Sequence, residues 1–253
     1  MIVKVLSSGS KGNSTYIESN GTKILLDVGI PFHSIDKALE EINKSVYELD
    51  GALISHEHHD HLGGIQSLSK KVPVPIFIRK DLEKEVKKLV RDDLVNIVED
   101  SIEIGSLSIK LFNNSHDVPN SGYIVEDGTS SLVYITDTGY INRKNIEITK
   151  NKNVYIIESN HDEEMLMNGK YPYMLKQRVL SDTGHLSNKS ATSYLKKVIG
   201  DNTKYIILAH ISENNNTYEL AYENACNELD GIFNKDNILV AYQKEGAKIV
   251  EIW

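Results

Sequence analysis

A single cysteine, Cys226, stands among 253 residues, so an internal disulfide is excluded. One free thiol fits a reducing compartment, and a cytoplasmic location is the expectation. No apolar run approaches the roughly 20 residues that a membrane-spanning helix needs. The first six residues read as a strand, without the basic and apolar segments of a signal peptide. Proline is scarce, at five residues, and tryptophan occurs once. There is no Pro-, Gly- or Ser-rich linker, no repeat and no low-complexity tract. Positive charge is also short: 28 Lys and Arg against 36 Asp and Glu give a net charge of −8. That balance argues against a broad surface that coats nucleic acid. It does not argue against local phosphate chemistry, because two divalent cations would add about +4 where a phosphate sits.

What is present suits a globular domain. Apolar residues make up 40% and charged residues 25%, and one domain over 1–253 is expected. Short segments rich in β-branched residues predict strands at 3–6, 16–18, 23–26, 51–54, 76–78, 108–112, 122–125, 131–135, 154–157, 205–208, 238–240 and 248–251. Helices are expected at 34–42, 81–90, 144–149, 173–180, 187–198 and 217–230, with Ser34, Asp81 and Ser187 as N-caps. Asn20-Gly21 and Asp127-Gly128, each between apolar runs, predict tight hairpin turns. A mixed α/β chain of this kind fits two packed sheets with helices outside, but pattern alone does not single out that fold.

Four of the nine histidines fall in one hexapeptide, His56-Glu57-His58-His59-Asp60-His61, directly after a predicted strand. A solvated polar loop rarely concentrates imidazoles so densely. Imidazole and carboxylate together suit Zn²⁺ or Mn²⁺, with Fe²⁺ possible. His116, Asp137 and His210 each follow a later predicted strand. Alone, each would read as a turn or surface group. Their repeated placement at strand ends marks them as further ligand candidates.

His-x-His-x-Asp-His at 56–61, followed by His116, Asp137 and His210, resembles the motif series of the metallo-β-lactamase superfamily; Asp27, in Leu-Leu-Asp-Val-Gly, matches its first motif. The resemblance implies an αββα sandwich of two mixed sheets flanked by helices, with two divalent metal ions at one edge. It implies that His56, His58 and His116 hold one ion and that Asp60, His61 and His210 hold the other, with Asp137 bridging. Asp27 would orient ligand histidines from behind. Such a pair of ions can generate the attacking water without a protein nucleophile.

The leaving oxygen still needs a proton. Among His33, His161 and His185, the last is the best placed, in Gly-His-Leu-Ser-Asn before a predicted helix. A helix-capping role for this loop is the alternative.

Three further stretches resemble the YycJ/WalJ family of bacterial exonucleases: Ser8-Gly9-Ser10-Lys11-Gly12-Asn13-Ser14, Glu158-Ser159-Asn160-His161-Asp162, and Leu175-Lys176-Gln177-Arg178 with Gly184–Asn188. This resemblance implies a 5′-to-3′ exonuclease acting on DNA in repair, with duplex DNA bearing a free end as partner. Likeness to tRNase Z implies that Glu158 pairs with His185 to donate the proton. Asp27 and Asp60 count with these two among the catalytic residues. Ser10, Gly12 and Asn13 are expected to cradle a terminal phosphate, although an ordinary hairpin turn is equally open. Lys176, Arg178 and Ser187 are expected to contact substrate. The alternatives are a small-molecule phosphodiesterase, an RNA-processing nuclease or a non-catalytic metal-binding scaffold.

Overall fold

The structure, a computed structural model, describes residues 1–252. Its first sheet comprises β1 (Ile2–Ser7), β2 (Ser14–Ser19), β3 (Thr22–Leu26), β4 (Gly51–Leu53), β5 (Ile76–Ile78) and β6 (Val95–Ile97). The second comprises β7 (Ser101–Ile104), β8 (Leu107–Asn113), β9 (Ser121–Glu126), β10 (Ser131–Ile135), β11 (Val154–Glu158), β12 (Tyr205–Ala209) and β13 (Ile238–Val240). The closing strand β14 (Val250–Glu251) returns to β1. The spatial orders are β14-β1-β2-β3-β4-β5-β6 and β13-β12-β11-β10-β9-β8-β7. From β3 to β6 and from β10 to β13 the pairing is parallel; elsewhere it is antiparallel.

Residue alternation explains the layering. In β10, Leu132 and Tyr134 face the core between the sheets, while Val133 and Ile135 face an outer core. In β12, Ile207 and Ala209 point inward, and Ile206 and Leu208 outward. Strands buried on both faces read as nearly continuous apolar runs, as these do. The outer face of the first sheet is covered by α1 (Phe32–Glu40), α2 (His59–Leu62), α3 (Ile65–Lys71) and α4 (Glu83–Val86), which contribute Ile35, Leu39, Leu62, Ile65, Leu68 and Val86. On the second sheet lie α5 (Arg143–Thr149), α8 (Asn188–Val198) and α9 (Tyr218–Glu228), with Tyr194, Leu195 and Ala225 packed onto it from α8 and α9, while α6 (Glu163–Asn168) and α7 (Tyr173–Leu180) fall between β11 and α8. This is the expected αββα sandwich.

Asn20 and Gly21 both adopt left-handed φ, 46° and 85°, and close the β2–β3 hairpin. At the β9–β10 turn, Asp127 Oδ1 accepts the N–H groups of Thr129 and Ser130 at 2.9 and 2.7 Å.

Several boundaries differ from the sequence reading. Ser34 does not cap α1; Pro31 precedes it, and its fixed φ suits the first turn. The helix expected at 81–90 is a 3₁₀ turn, Lys80–Leu82, followed by the short α4, and Asp81 is not its cap. Ser187 does cap α8, accepting the Ser190 N–H. Strands β6 and β7 are short, and part-exposed polar residues blur their alternation. Helices α2, α3 and α6 span only four to seven residues, too few for a 3.6-residue period to show.

Candidate metal centre and active site

The ligand candidates sit where strands end. His56 lies three residues beyond β4, Asp137 two beyond β10 and His210 directly after β12. These are carboxyl ends of parallel strands, where α/β sheets open a crevice. Asp27, Asp137 and His210 share a rare feature: left-handed φ values of 60°, 56° and 52°. Such a conformation is disfavoured for non-glycine residues and persists where surrounding structure imposes it. Here it turns three functional side chains out of their strands toward one space.

The chain brings seven side chains into two overlapping groups. His56, His58 and His116 offer nitrogen atoms within 4.8 Å of one another. Asp60, His61, Asp137 and His210 do the same with nitrogen and oxygen. Both groups border one cavity of about 220 Å³, which Ser10, His185 and Asn160 also line. His56 Nε2 and Asp137 Oδ2 are buried without hydrogen-bond partners. Asp137 Oδ2 lies 2.9 Å from His61 Nε2. Buried polar atoms are normally satisfied. Two unpartnered atoms, one in each group, among converging nitrogen and carboxylate atoms fit bound cations, and the nitrogen–carboxylate set suits divalent metals.

Charge is distributed to match. Burial and the neighbouring imidazoles hold His56 well below the usual histidine range. Burial would raise Asp137, but His210 and His61 hold it far below the carboxylate range. Burial would lower His61, but Asp137 and Asp27 push it up to about 10. The carboxylates that attract protons to these rings would attract cations in their place.

Behind the cluster, Asp27 is fully buried. Its Oδ2 lies 2.7 Å from His61 Nδ1 and accepts from Tyr134 Oη at 2.8 Å and Ser55 Oγ at 3.0 Å. Its Oδ1 accepts the Ser55 N–H at 2.8 Å. Tyr134 reads as core in the sequence, and nothing there marks it as a partner of Asp27.

Glu158 ends β11 and is fully buried. Its Oε1 accepts from His185 Nδ1 at 2.6 Å and lies 3.0 Å from His210 Nδ1. Its Oε2 accepts N–H groups of Thr138 and Leu186 at 3.0 and 3.2 Å. Burial opposes its charge, but these partners bring the carboxyl down to about 2, and His185 is raised above its ordinary value against the effect of burial. With Nδ1 engaged, the other ring nitrogen of His185 is free for the cavity it lines. His161 is elsewhere, buried with both ring nitrogens unpartnered, and His33 is exposed on α1.

Four backbone N–H groups of the Ser/Gly loop are committed within the protein. The N–H groups of Gly9, Lys11, Gly12 and Asn13 donate to Asn13 Oδ1, Gln243 Oε1, Gly9 O and Asp60 O, at 2.7 to 3.0 Å. Gly12 packs on Gly29 with φ of 151°, where a Cβ would meet Ile30 and Gly29 within 2.7 Å. Instead the loop braces the ligands. Asn13 Nδ2 lies 3.0 Å from His61 Nε2, and Ser8 Oγ accepts the His210 N–H at 2.7 Å. Gln243, invisible as a functional residue in the sequence, holds Ser7, Lys11 and Gly12 from the far end of the chain. Only Ser10 of the expected trio lines the cavity without such a commitment.

The other expected substrate contacts divide. Ser187 is buried, caps α8 and donates to Glu163 at 2.9 Å, so its hydroxyl is not offered to substrate. Lys176 is half-buried, with Nζ on Met167 O at 2.6 Å. Arg178 borders the cavity but is paired with Asp117. Asp117 in turn lies 3.4 and 3.3 Å from the Nε2 atoms of His58 and His116.

Comparison with known proteins agrees with this geometry. Residues 22–211 match the beta-lactamase superfamily domain. The exodeoxyribonuclease WalJ of Streptococcus pneumoniae is 37% identical over 236 residues, covering 89% of this chain and 87% of its own length. The exodeoxyribonuclease YycJ of Bacillus anthracis is 34% identical over 223 residues, covering 86% and 84%. Among solved structures, the metallo-beta-lactamase fold protein YhfI from Bacillus subtilis superposes with a TM-score of 0.74 over 99% of both chains at 20% identity, which shows the shared fold. This chain therefore belongs to the beta-lactamase superfamily, in the family that contains the exodeoxyribonucleases WalJ and YycJ.

Proposed function

We propose that this chain is a metal-dependent exodeoxyribonuclease that holds two divalent cations and removes nucleotides from a free 5′ end of DNA, in the cytoplasm and in the service of repair. The observation that carries the hydrolytic reading is the His185–Glu158 pair, 2.6 Å apart, at the cavity that both ligand groups border. The DNA reading rests on the likeness to the two exodeoxyribonucleases over most of the chain.

His56, His58 and His116 would hold one cation; Asp60, His61 and His210 would hold the second, with Asp137 between them. Bound there, divalent cations would supply the Lewis acidity that activates water at neutral pH and offsets the charge of the phosphate. The chain's own residues then have distinct tasks. Asp27 fixes the ring of His61 through Nδ1, which leaves Nε2 for the cluster. Glu158 fixes the ring of His185 and favours its protonated form. The free nitrogen of His185 delivers its proton to the departing oxygen. A net charge of −8 keeps the rest of the surface from competing for DNA. No helix among the described residues is long and apolar enough to cross a membrane.

The test is digestion of end-labelled duplex DNA, single-stranded DNA and RNA by folded protein supplied with Zn²⁺, Mn²⁺ or Mg²⁺. Mononucleotides released from the 5′ end of DNA support the proposal. Intact linear DNA under all three metals overturns it, and preferential loss of RNA would transfer the assignment to RNA processing.

A further inference from the structure

The catalytic cavity has a wall that hydrolysis does not use. Tyr171, Leu175, Arg178 and Val179 line it together with His116 and His185. Leu175, Arg178 and Val179 stand three and four positions apart, so they share one face of α7. Val179 is buried and Leu175 half-buried. Among the described residues, no member of α7 belongs to the hydrophobic core between the sheets or to those on their outer faces. The apolar side chains of this face therefore serve the cavity and not the core. The first turn of α7 adds Tyr173 and Met174, which are 69% and 78% exposed.

Tyr171 is held in place from several sides. It precedes Pro172, which restricts its backbone to extended conformations. Asn214 Nδ2 donates to its hydroxyl at 3.3 Å. Lys176 Nζ ties α7 back to Met167 O of α6. Across the cavity the lining is polar, with Ser10, Asn160, Ser212 and Asn215. The space is about 220 Å³, below the roughly 300–1,000 Å³ of a usual ligand pocket. That suits one unpaired nucleotide and not a base pair.

We infer that the terminal nucleotide enters this cavity unpaired, with its base packed on Tyr171 and Leu175 and the phosphate that joins it to the next nucleotide at the ligand cluster. An aromatic ring and an aliphatic face opposite hydroxyls and amides complement a base and its sugar, and such stacking tolerates any base. Position points the same way. His185 borders the same cavity, so the oxygen that it protonates and the nucleoside that carries this oxygen share one space. The inference rests on the nuclease reading above, and assigns recognition of the terminal base to α7 and the residue before Pro172.

The experiment uses 5′-phosphorylated single-stranded oligothymidylates that differ only in one base. The first residue is thymidine or a tetrahydrofuran abasic residue, and a control strand places the abasic residue second. The readout is the ratio of kcat/KM for release of the first residue, thymidine over abasic, in wild type, Tyr171→Ala and Tyr171→Phe. Wild type is expected to favour thymidine by about 5- to 150-fold, the scale of one stacked base. The ratio is expected to fall by about fivefold or more in Tyr171→Ala and to be kept in Tyr171→Phe, while the control strand responds to neither. An unchanged ratio in Tyr171→Ala, a response at the second residue in place of the first, or a wild type that cuts duplex but no single strand overturns the inference and leaves the nuclease standing. Strands left whole by wild type, single or duplex and under every metal, overturn the nuclease reading and the inference with it. Thermal unfolding confirms that each variant is folded; Tyr171 belongs to none of the hydrophobic cores, so its replacement leaves them intact.

Discussion

Asp27 Oδ2 and His61 Nδ1, thirty-four positions apart in the chain, lie 2.7 Å from each other in the buried floor of the ligand cluster. The contact decides which nitrogen of His61 faces the cavity. It also joins the two sheets, because the same carboxylate oxygen accepts from Tyr134 of β10 at 2.8 Å. Asp27→Ala is expected to weaken metal binding by about 10- to 100-fold, the scale of a lost partner behind a ligand. Titration with Zn²⁺ or Mn²⁺ against a competing chelator measures it. Wild-type affinity in the variant would show that His61 is oriented by something else.

Asp137 belongs to both the second ligand group and the group containing Glu158 and His185. Asp137→Ala is expected to lose bound metal and hydrolysis together. Elemental analysis of the purified variant beside its activity settles this; full metal content with no activity would separate the two roles.

His185→Ala is expected to retain metal and slow DNA cleavage by about 10²-fold or more, as for a lost general acid. The deficit should shrink on p-nitrophenyl esters, whose leaving group needs little protonation. An equal deficit on both substrates would make His185 a binding group and not a proton donor.

Ser187 caps α8 through the Ser190 N–H, and its hydroxyl is buried. Ser187→Ala is expected to lower stability by about 1 kcal/mol, the usual loss for an N-cap. The KM for DNA should not move, and a large rise in KM without a loss of stability would restore it to the substrate contacts.

Asp127 gives the acid limb of stability its sign. Burial favours its neutral form, but the Ser19 hydroxyl and the N–H groups of Ser130 and Thr129 outweigh it and lower the carboxyl to about 2 from a reference of 3.8. Its contribution is complete above the reference value and disappears as pH falls through about 2. Chemical denaturation between pH 5 and 2 should show wild type losing more stability than Asp127→Asn. Parallel curves would remove Asp127 from the acid transition.

Much of the fold was legible because interior strands of the second sheet are buried on two faces. Val154–Glu158 and Tyr205–Ala209 are apolar almost throughout, and burial of both faces demands that composition. The ligand types were legible for a related reason: polar side chains at the end of an apolar strand stand out from what precedes them. Segments 95–97 and 101–104 were not legible, since an edge strand half in solvent satisfies its pattern with polar residues.

The sequence by itself determined which residue types stand at the strand ends, and so the class of cation that His56, His58, Asp60, His61, His116, Asp137 and His210 suit. Tertiary structure alone decided what each atom does. Gly9 to Asn13 looked equally able to bind phosphate, until folding committed four of their N–H groups to Asn13, Gln243, Gly9 and Asp60. Ser187 looked like a substrate contact, until Glu163 and Ser190 took its hydroxyl. Tyr134 was indistinguishable from core, until Asp27 arrived from the other sheet. A hydrogen-bonding group has few bonds to give, and its partner can stand 3 positions away, as Ser190 does from Ser187, or 232, as Gln243 does from Lys11.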